Sequence, residues 1–326
     1  VAADLAILAE RVERRFGSNH AVAGVDLAVG NGEVYGFLGP NGAGKSTLTR
    51  VLCTLLSPTG GRAVVAGHDV ATAPQAVRLR IGVALQEAAL DDKQTGVEML
   101  EMQARLYGLS RRDARRRLAD LRELIDIGDA LGDRVATYSG GMKRRLDLAL
   151  ALVHNPTVLF LDEPTTGLDP VSRVAVWQEV RRLNRELGMT VFLTTQYLEE
   201  ADELAGRVGI INRGRLVAEG TPDELKRSIG TDVVVATVSG DIDAARISLA
   251  SVPQVERVDV AGDQLVASVA DGPAAVSPVA LALARDGVRV QDLSLRRPTL
   301  DDVFLSVTGE RIAAAGNADP ALETVR

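Results

Sequence analysis

A chain of 326 residues is long enough for two domains, and its charged fraction of 25% and hydrophobic fraction of 46% are those of an ordinary folded protein. A formal net charge of −7 argues against a general nucleic-acid binder, which needs a basic surface to displace counterions. One cysteine, Cys53, excludes an intramolecular disulfide and fits a reducing compartment. Residues 1–10 lack a basic segment followed by an apolar core, so no signal peptide is expected. No apolar run approaches the ~18 residues that a membrane span needs, so a membrane role requires another chain to do the spanning.

Short strands open the chain: residues 22–29 alternate loosely, and Val34–Leu38 reads as a buried strand. Directly behind it stand Gly39, Pro40, Asn41, Gly42, Ala43, Gly44, Lys45, Ser46 and Thr47, which fit the phosphate-loop pattern G-x-x-x-x-G-K-[ST]. The glycines let backbone N–H groups turn inward around phosphate oxygens. Lys45 can reach the β and γ phosphates, and Ser46 offers a hydroxyl to Mg²⁺. Leu48, Val51, Leu52 and Leu55 then recur at i, i+3, i+4 and i+7, the stripe of a helix buried against a sheet. This context, strand before and helix after, predicts binding of a nucleoside triphosphate. Cys53 falls within that helix and reads as a packed thiol.

Residues 63–66 and 81–85 form two further short strands, the second ending at Gln86. From Gln94 to Asn155 the texture becomes helical. Ser110 and Asp113 make a cap ahead of Leu118, Leu121 and Ile125, while Arg111, Arg112, Arg115, Arg116 and Arg117 read as a solvated face. Tyr138-Ser139-Gly140-Gly141-Met142-Lys143 precedes an apolar helix carrying Leu146, Leu150 and Val153, with Ser139 suited to its cap.

A continuous β run over 157–161 ends in two carboxylates, Asp162 and Glu163. Strand C-termini beside a phosphate loop are where a doubly wound sheet binds ligand. There Asp162 can hold Mg²⁺, and Glu163 can face the γ-phosphate and polarise the attacking water. A helix over 174–186, a buried strand over 190–194, a helix with acidic start Glu199 and Glu200, and a hairpin around Arg213-Gly214 follow. This alternation predicts an α/β fold: a mostly parallel sheet covered on both faces, interrupted by a helical lobe.

After about residue 226 a smaller unit begins. Strands over 232–238, 255–260, 264–269 and 288–293, with helices over 242–251 and 277–286, give the order β-α-β-β-α-β. Pro278 suits the first position of the second helix. Pro298 and Thr299 start an amphipathic helix bearing Leu300, Val303, Phe304 and Val307, and the alanine-rich tail from residue 312 reads as frayed.

Phosphate loop, Ser139-Gly140-Gly141 and acidic strand, in this order, resemble the ABC-type ATPases over residues 5–225. The resemblance implies a P-loop NTPase core (1–225, helical subdomain about 87–155), and the pattern beyond it reads as a small α+β C-terminal domain (226–310) and a flexible tail (311–326). It implies ATP and Mg²⁺ as ligands and a homodimer in which Ser139, Gly140 and Gly141 of one copy close over the γ-phosphate held by the other. By the same resemblance Gln86 senses Mg²⁺ and the attacking water, Asp169 in Gly167-Leu168-Asp169 crosses the interface, and Phe16 stacks on adenine. A separate membrane-spanning permease is the implied partner, at the cytoplasmic face of the cell membrane.

Two positions depart from the family pattern. Most members carry His where Gln196 stands, and Met142 occupies a position where Gln is common. Gln196 can donate a hydrogen bond but cannot carry a positive charge or relay a proton. Thr194 to Asp202, and Arg296-Arg297-Pro298-Thr299-Leu300-Asp301-Asp302-Val303-Phe304-Leu305, are similar to the daunorubicin/doxorubicin-resistance ATP-binding subunits of actinobacteria, which carry Gln here. That similarity implies an exporter motor for a drug-like or amphipathic compound. The alternative is an ABC ATPase of translation or repair, but those usually join two ATPase units or insert coiled coils or zinc cysteines, and this chain has neither.

Overall fold

The computed structural model describes residues 5–85, 89–125, 128–240, 242–262 and 264–308. The chain divides into two compact units, with the boundary between Pro222 and Asp223.

The first unit opens with β1 (Leu5–Phe16), β2 (Asn19–Gly30), β3 (Val34–Leu38) and α1 (Lys45–Leu52). Next come β4 (Gly60–Val65), β5 (His68–Asp69), α2 (Pro74–Arg78) and β6 (Ile81–Ala84). Helices α3 (Gly96–Leu106), α4 (Arg111–Ile125) and α5 (Gly140–Leu152) fill the middle. The unit closes with β7 (Val158–Asp162), α6 (Pro170–Leu187), β8 (Thr190–Thr195), α7 (Leu198–Leu204), β9 (Arg207–Asn212) and β10 (Arg215–Gly220).

Two sheets result. One is antiparallel, in the order β2-β1-β4-β5; the other, β10-β9-β3-β8-β7-β6, is parallel except for its β9–β10 edge. The parallel strands read as continuous apolar runs because both their faces are covered. Val158, Phe160 and Phe192 turn into one core with Tyr35, Phe37 and α1, while Leu159, Leu161, Val191 and Leu193 turn into the other with the helices. Phe192 anchors the first of these, with its ring centroid 5.6–5.7 Å from those of Tyr35, Phe37 and Phe160. The helical segment shares the second core, which runs without a break from Leu159 and Leu161 to Met99, Leu100 and Leu121.

Several features differ from the sequence reading: α1 ends at Leu52, so Leu55, expected on its buried stripe, lies outside the helix and is 54% exposed. The long strand β1 was not foreseen, because register shifts around Arg11, which takes φ 47°, break its alternation. Nor is the arginine run of α4 wholly a solvated face. Arg117 turns inward and donates to the carbonyls of Leu152 and Val153, at 2.8 and 3.3 Å, satisfying the open end of α5.

The second unit holds α8 (Pro222–Ile229), which begins at the boundary, then β11 (Asp232–Ser239), α9 (Ile242–Ala250), β12 (Val255–Ala261), β13 (Gln264–Val269), α10 (Gly272–Arg285), β14 (Arg289–Arg296) and α11 (Leu300–Thr308). Its antiparallel sheet has the order β12-β13-β11-β14, the ferredoxin-like arrangement of a split βαβ pair. Helix α10 starts five residues earlier than the sequence suggests. Asp271 caps it by accepting from Ala274 N at 3.2 Å, and Pro273, not Pro278, occupies its first turn. Pro278 lies inside the helix and removes one donor there. Buried Ala275, Val279 and Leu283, spaced by four, hold the helix on the sheet regardless.

Candidate active site

Strands β3, β8 and β7 lie side by side and end in register, with Leu38 opposite Thr195 and Thr194 opposite Asp162. The residues that follow each strand are therefore delivered to one edge of the sheet. These are Gly39 onward, Gln196, and Glu163.

The loop from Gly39 to Gly44 can be built only with glycine at its tight points. At Gly44, φ is 111° and a Cβ would stand 2.3 Å from the Ala21 carbonyl oxygen; at Gly39 it would stand 2.6 Å from that of Ile211. Gly42, at φ 80°, has open space around it. Lys45 then begins α1 with its side chain 4% exposed. Its ammonium donates to the carbonyls of Gly39 (2.7 Å) and Pro40 (3.3 Å) and stands 3.4 Å from Glu163 Oε1. Burial pulls the Lys45 amine below its ordinary pKa, and Glu163 and Asp162 oppose that pull.

Asp162 Oδ1 accepts from Ser46 Oγ at 3.2 Å and, closer still, from the Thr194 hydroxyl. Glu163 adopts φ 48°. For a residue with a Cβ that left-handed conformation costs about 1–2 kcal/mol, and such strain is typically kept where geometry matters for function. Its own backbone N–H donates to the Thr194 carbonyl (3.0 Å) and hydroxyl (3.2 Å), while Thr166 donates to Glu163 Oε2 at 3.3 Å. Lys45, Ser46, Asp162 and Glu163 thus form one contiguous polar cluster at the end of an apolar sheet.

A second group is built on two helix N-termini. Ser139 caps α5, its hydroxyl accepting from Met142 N at 3.3 Å, and Gly140 is exposed beside it. Asp169 caps α6, accepting from Val171 N and Ser172 N at 3.0 Å and from Ser172 Oγ at 2.5 Å. The two ends adjoin, since a Cβ on Gly141 would stand 3.3 Å from Ser172 Oγ. Phe16 belongs to neither group. It is 46% exposed at the end of β1, with the Arg14 guanidinium 4.6 Å above its ring. Asn41 is exposed, Ala43 is buried, and Thr47 is half-buried in the first turn of α1. Gln196 is half-buried in the turn after β8. Gln86 lies outside the described residues.

Three residues of this neighbourhood escaped the sequence reading. Thr194 resembles any β-branched strand residue, yet its hydroxyl fixes both Asp162 and Glu163. Arg144 and Asp147 sit in a charged stretch that reads as surface. Instead Arg144 donates to the carbonyls of Leu85 (2.8 Å) and Pro164 (3.0 Å) and to Asp147 Oδ2 (2.9 Å), tying α5 to the stem of β6 and to the residue after Glu163. Arginine spaced i, i+3 before an aspartate was the available signal.

This fold and edge cluster define an ATPase of the ABC type. The profile described as "ABC transporter" matches residues 22–166, and that of the DrrA1-3-like ATP-binding protein C-terminal domain matches 220–308. The chain is 52% identical to the daunorubicin resistance ATP-binding protein DrrA2 of Streptomyces coeruleorubidus, over 94% of this chain and 96% of that one. It is 47% identical to the daunorubicin/doxorubicin resistance ATP-binding protein DrrA of Streptomyces peucetius, over 90% and 89%. CbiO1 of Clostridium perfringens, part of the ABC transporter complex CbiONQ, superposes with a TM-score of 0.64 at 27% identity, covering 68% of this chain and 90% of CbiO1. The chain belongs to the DrrA-type family of ABC transporter ATP-binding proteins, and it binds and hydrolyses ATP. Among the described residues, no helix is long and apolar enough to cross a membrane.

Proposed function

We propose that this chain is the ATP-driven motor of an exporter, working as a homodimer at the cytoplasmic face of the cell membrane with a separate membrane-spanning permease. The carrying observation is the convergence of Lys45, Ser46, Asp162 and Glu163 at the ends of neighbouring strands. In this reading the phosphate-loop amides from Gly39 to Thr47 and the Lys45 ammonium hold the β and γ phosphates. Ser46 Oγ and Asp162 Oδ1, 3.2 Å apart, are the hard oxygen donors that Mg²⁺ takes, so the pair fits the ion, and Gln86 joins them by family resemblance. When bound, the ion neutralises charge on the phosphate oxygens.

Glu163 takes a proton from the attacking water, and the Gln196 amide hydrogen-bonds the γ-phosphate. Phe16, already exposed, stacks on adenine. The open N-terminus of α5, with Ser139, Gly140 and Gly141, closes over the γ-phosphate of the second copy, because glycine amides at a helix start form an anion site. Asp169 lies along the same interface. Hydrolysis and release reopen the pair, and the motion reaches the permease through the segment from Gln86 to Gln94. The relatives named for daunorubicin and doxorubicin resistance favour an anthracycline-type or similarly amphipathic cargo.

Inside-out vesicles carrying the chain and a co-expressed candidate permease test this. ATP-dependent uptake of daunorubicin, followed by its fluorescence and lost in Glu163→Gln, is the expected result. ATP turnover by the complex with no uptake would remove the cargo assignment, and wild-type uptake by Glu163→Gln would remove the motor assignment.

A further inference from the structure

Glu200 is wholly buried, yet the chemistry described above leaves it without a task. It lies in the first turn of α7, four residues beyond Gln196. Its Oε1 accepts from Trp177 Nε1 on α6 at 3.0 Å. One helical turn before Trp177, Arg173 lays its guanidinium 4.4 Å from the centroid of the Tyr197 ring. Two residues of α6 spaced i, i+4 therefore grip two residues spaced i, i+3 around the start of α7. Both ends of this clamp carry site residues. Helix α6 begins at Asp169, whose carboxylate holds its first amides. Tyr197 immediately follows Gln196, and its N–H donates to Thr195 Oγ1 at 2.9 Å, so the turn presenting Gln196 is closed by the residue before it.

We propose that Glu200 is a positioning residue for ATP hydrolysis, fixing Gln196 at the strand edge through its hydrogen bond to Trp177. This rests on the reading of Gln196 as a group that acts on the γ-phosphate. Gln196 has no charge with which to seek its target at a distance, so its amide must be held in hydrogen-bonding position by its own backbone. A displacement of about 1 Å in such a group can cost on the order of a hundredfold in rate. Burial pushes the Glu200 carboxyl above its ordinary pKa, against the pull of Thr195, Trp177, Thr165 and the Arg173 charge. The Trp177 N–H needs only an oxygen to accept it, so a neutral acceptor of the same shape should serve as well as the carboxylate.

The test compares kcat and KM for ATP in the full chain with its permease. Glu200→Gln, which keeps a carbonyl for Trp177 Nε1, is expected to retain kcat within about twofold. Glu200→Leu removes the acceptor without burying a charge, and should lower kcat by roughly tenfold or more with KM little changed. Trp177→Phe keeps an aromatic ring in the core and removes the donor; it should reproduce the loss, and serves if Glu200→Leu does not fold. Adding Glu200→Leu to Gln196→Ala should lower kcat no further. Wild-type kcat in Trp177→Phe and in folded Glu200→Leu, or a full additional loss on the Gln196→Ala background, overturns the proposal. Failure of the Gln196 reading is seen separately, as wild-type kcat in Gln196→Ala alone, and takes the proposal with it.

Discussion

Lys45 Nζ stands 3.4 Å from Glu163 Oε1, with 4% and 7% of the two side chains exposed. Each offsets the other's burial, so neither can be removed without leaving a charge in a poorly solvated place. Lys45→Ala is expected to abolish ATP retention in a filter-binding assay and to destabilise the fold, on the order of 3 kcal/mol by urea unfolding. Undiminished ATP binding would refute the phosphate-loop assignment.

Glu163→Gln keeps the volume and the acceptor for Thr166 while removing the proposed base. ATP hydrolysis should fall by about 10²–10⁴-fold, with an ATP-bound dimer accumulating in size-exclusion chromatography. Because Lys45 still has the carbonyls of Gly39 and Pro40, the fold should tolerate this change better than Lys45→Ala. Normal turnover would remove Glu163 from the base role.

Gln196→His exchanges the amide for an imidazole. The rate should hold or rise, and it should acquire a dependence on pH around the imidazole pKa of about 6.5 that Gln196 cannot supply. A complete loss of activity would mean that the pocket is shaped around the amide.

Gly44 and Gly42 separate two uses of glycine. A Cβ at Gly44 would stand 2.3 Å from a backbone oxygen of β2, so Gly44→Ala must displace the loop from Ala21 and should yield little folded protein. At Gly42 nothing lies within 4 Å, and the φ of 80° alone should make Gly42→Ala cost about 1–2 kcal/mol. Thermal melts of both variants check the contrast; equal melting temperatures would contradict it.

Much of this site could be read without coordinates because its chemistry is local. A phosphate loop is one contiguous segment, and an apolar run ending in Asp162-Glu163 announces a strand edge. What escaped was non-local. Thr194 reaches Asp162 across a strand pairing, and Arg144 reaches Leu85 across 59 positions of sequence. Nothing near Thr194 distinguishes it from a core threonine, and for Arg144 the only local hint is Asp147 three residues on. β1 escaped for a different reason: its register shifts break the period of two on which strand recognition depends. Helix α10 was set too short because Pro278 looked like a start, while Asp271 and Pro273 supplied the real one.

Asp147 gives the last prediction its sign. Burial lifts its carboxyl from an ordinary 3.8 to about 6, with the Arg144 cation opposing the rise. Since the folded pKa exceeds the unfolded one, the folded state binds the extra proton between those values. Stability from this group is therefore greatest below about pH 4 and is lost as pH rises through 6. The whole difference is worth roughly 3 kcal/mol. Burial raises Glu179 and Glu200 as well, and they act in the same direction. His154, whose pKa burial lowers, works the opposite way, so the test is a comparison: in urea unfolding between pH 5 and 6.5, wild-type stability should fall with pH relative to that of Asp147→Asn. Asparagine can still accept from Arg144, whose guanidinium also holds the Leu85 and Pro164 carbonyls, so the variant should fold. An unchanged slope would mean that Asp147 is ionised throughout this range and that its pairing with Arg144 outweighs its burial.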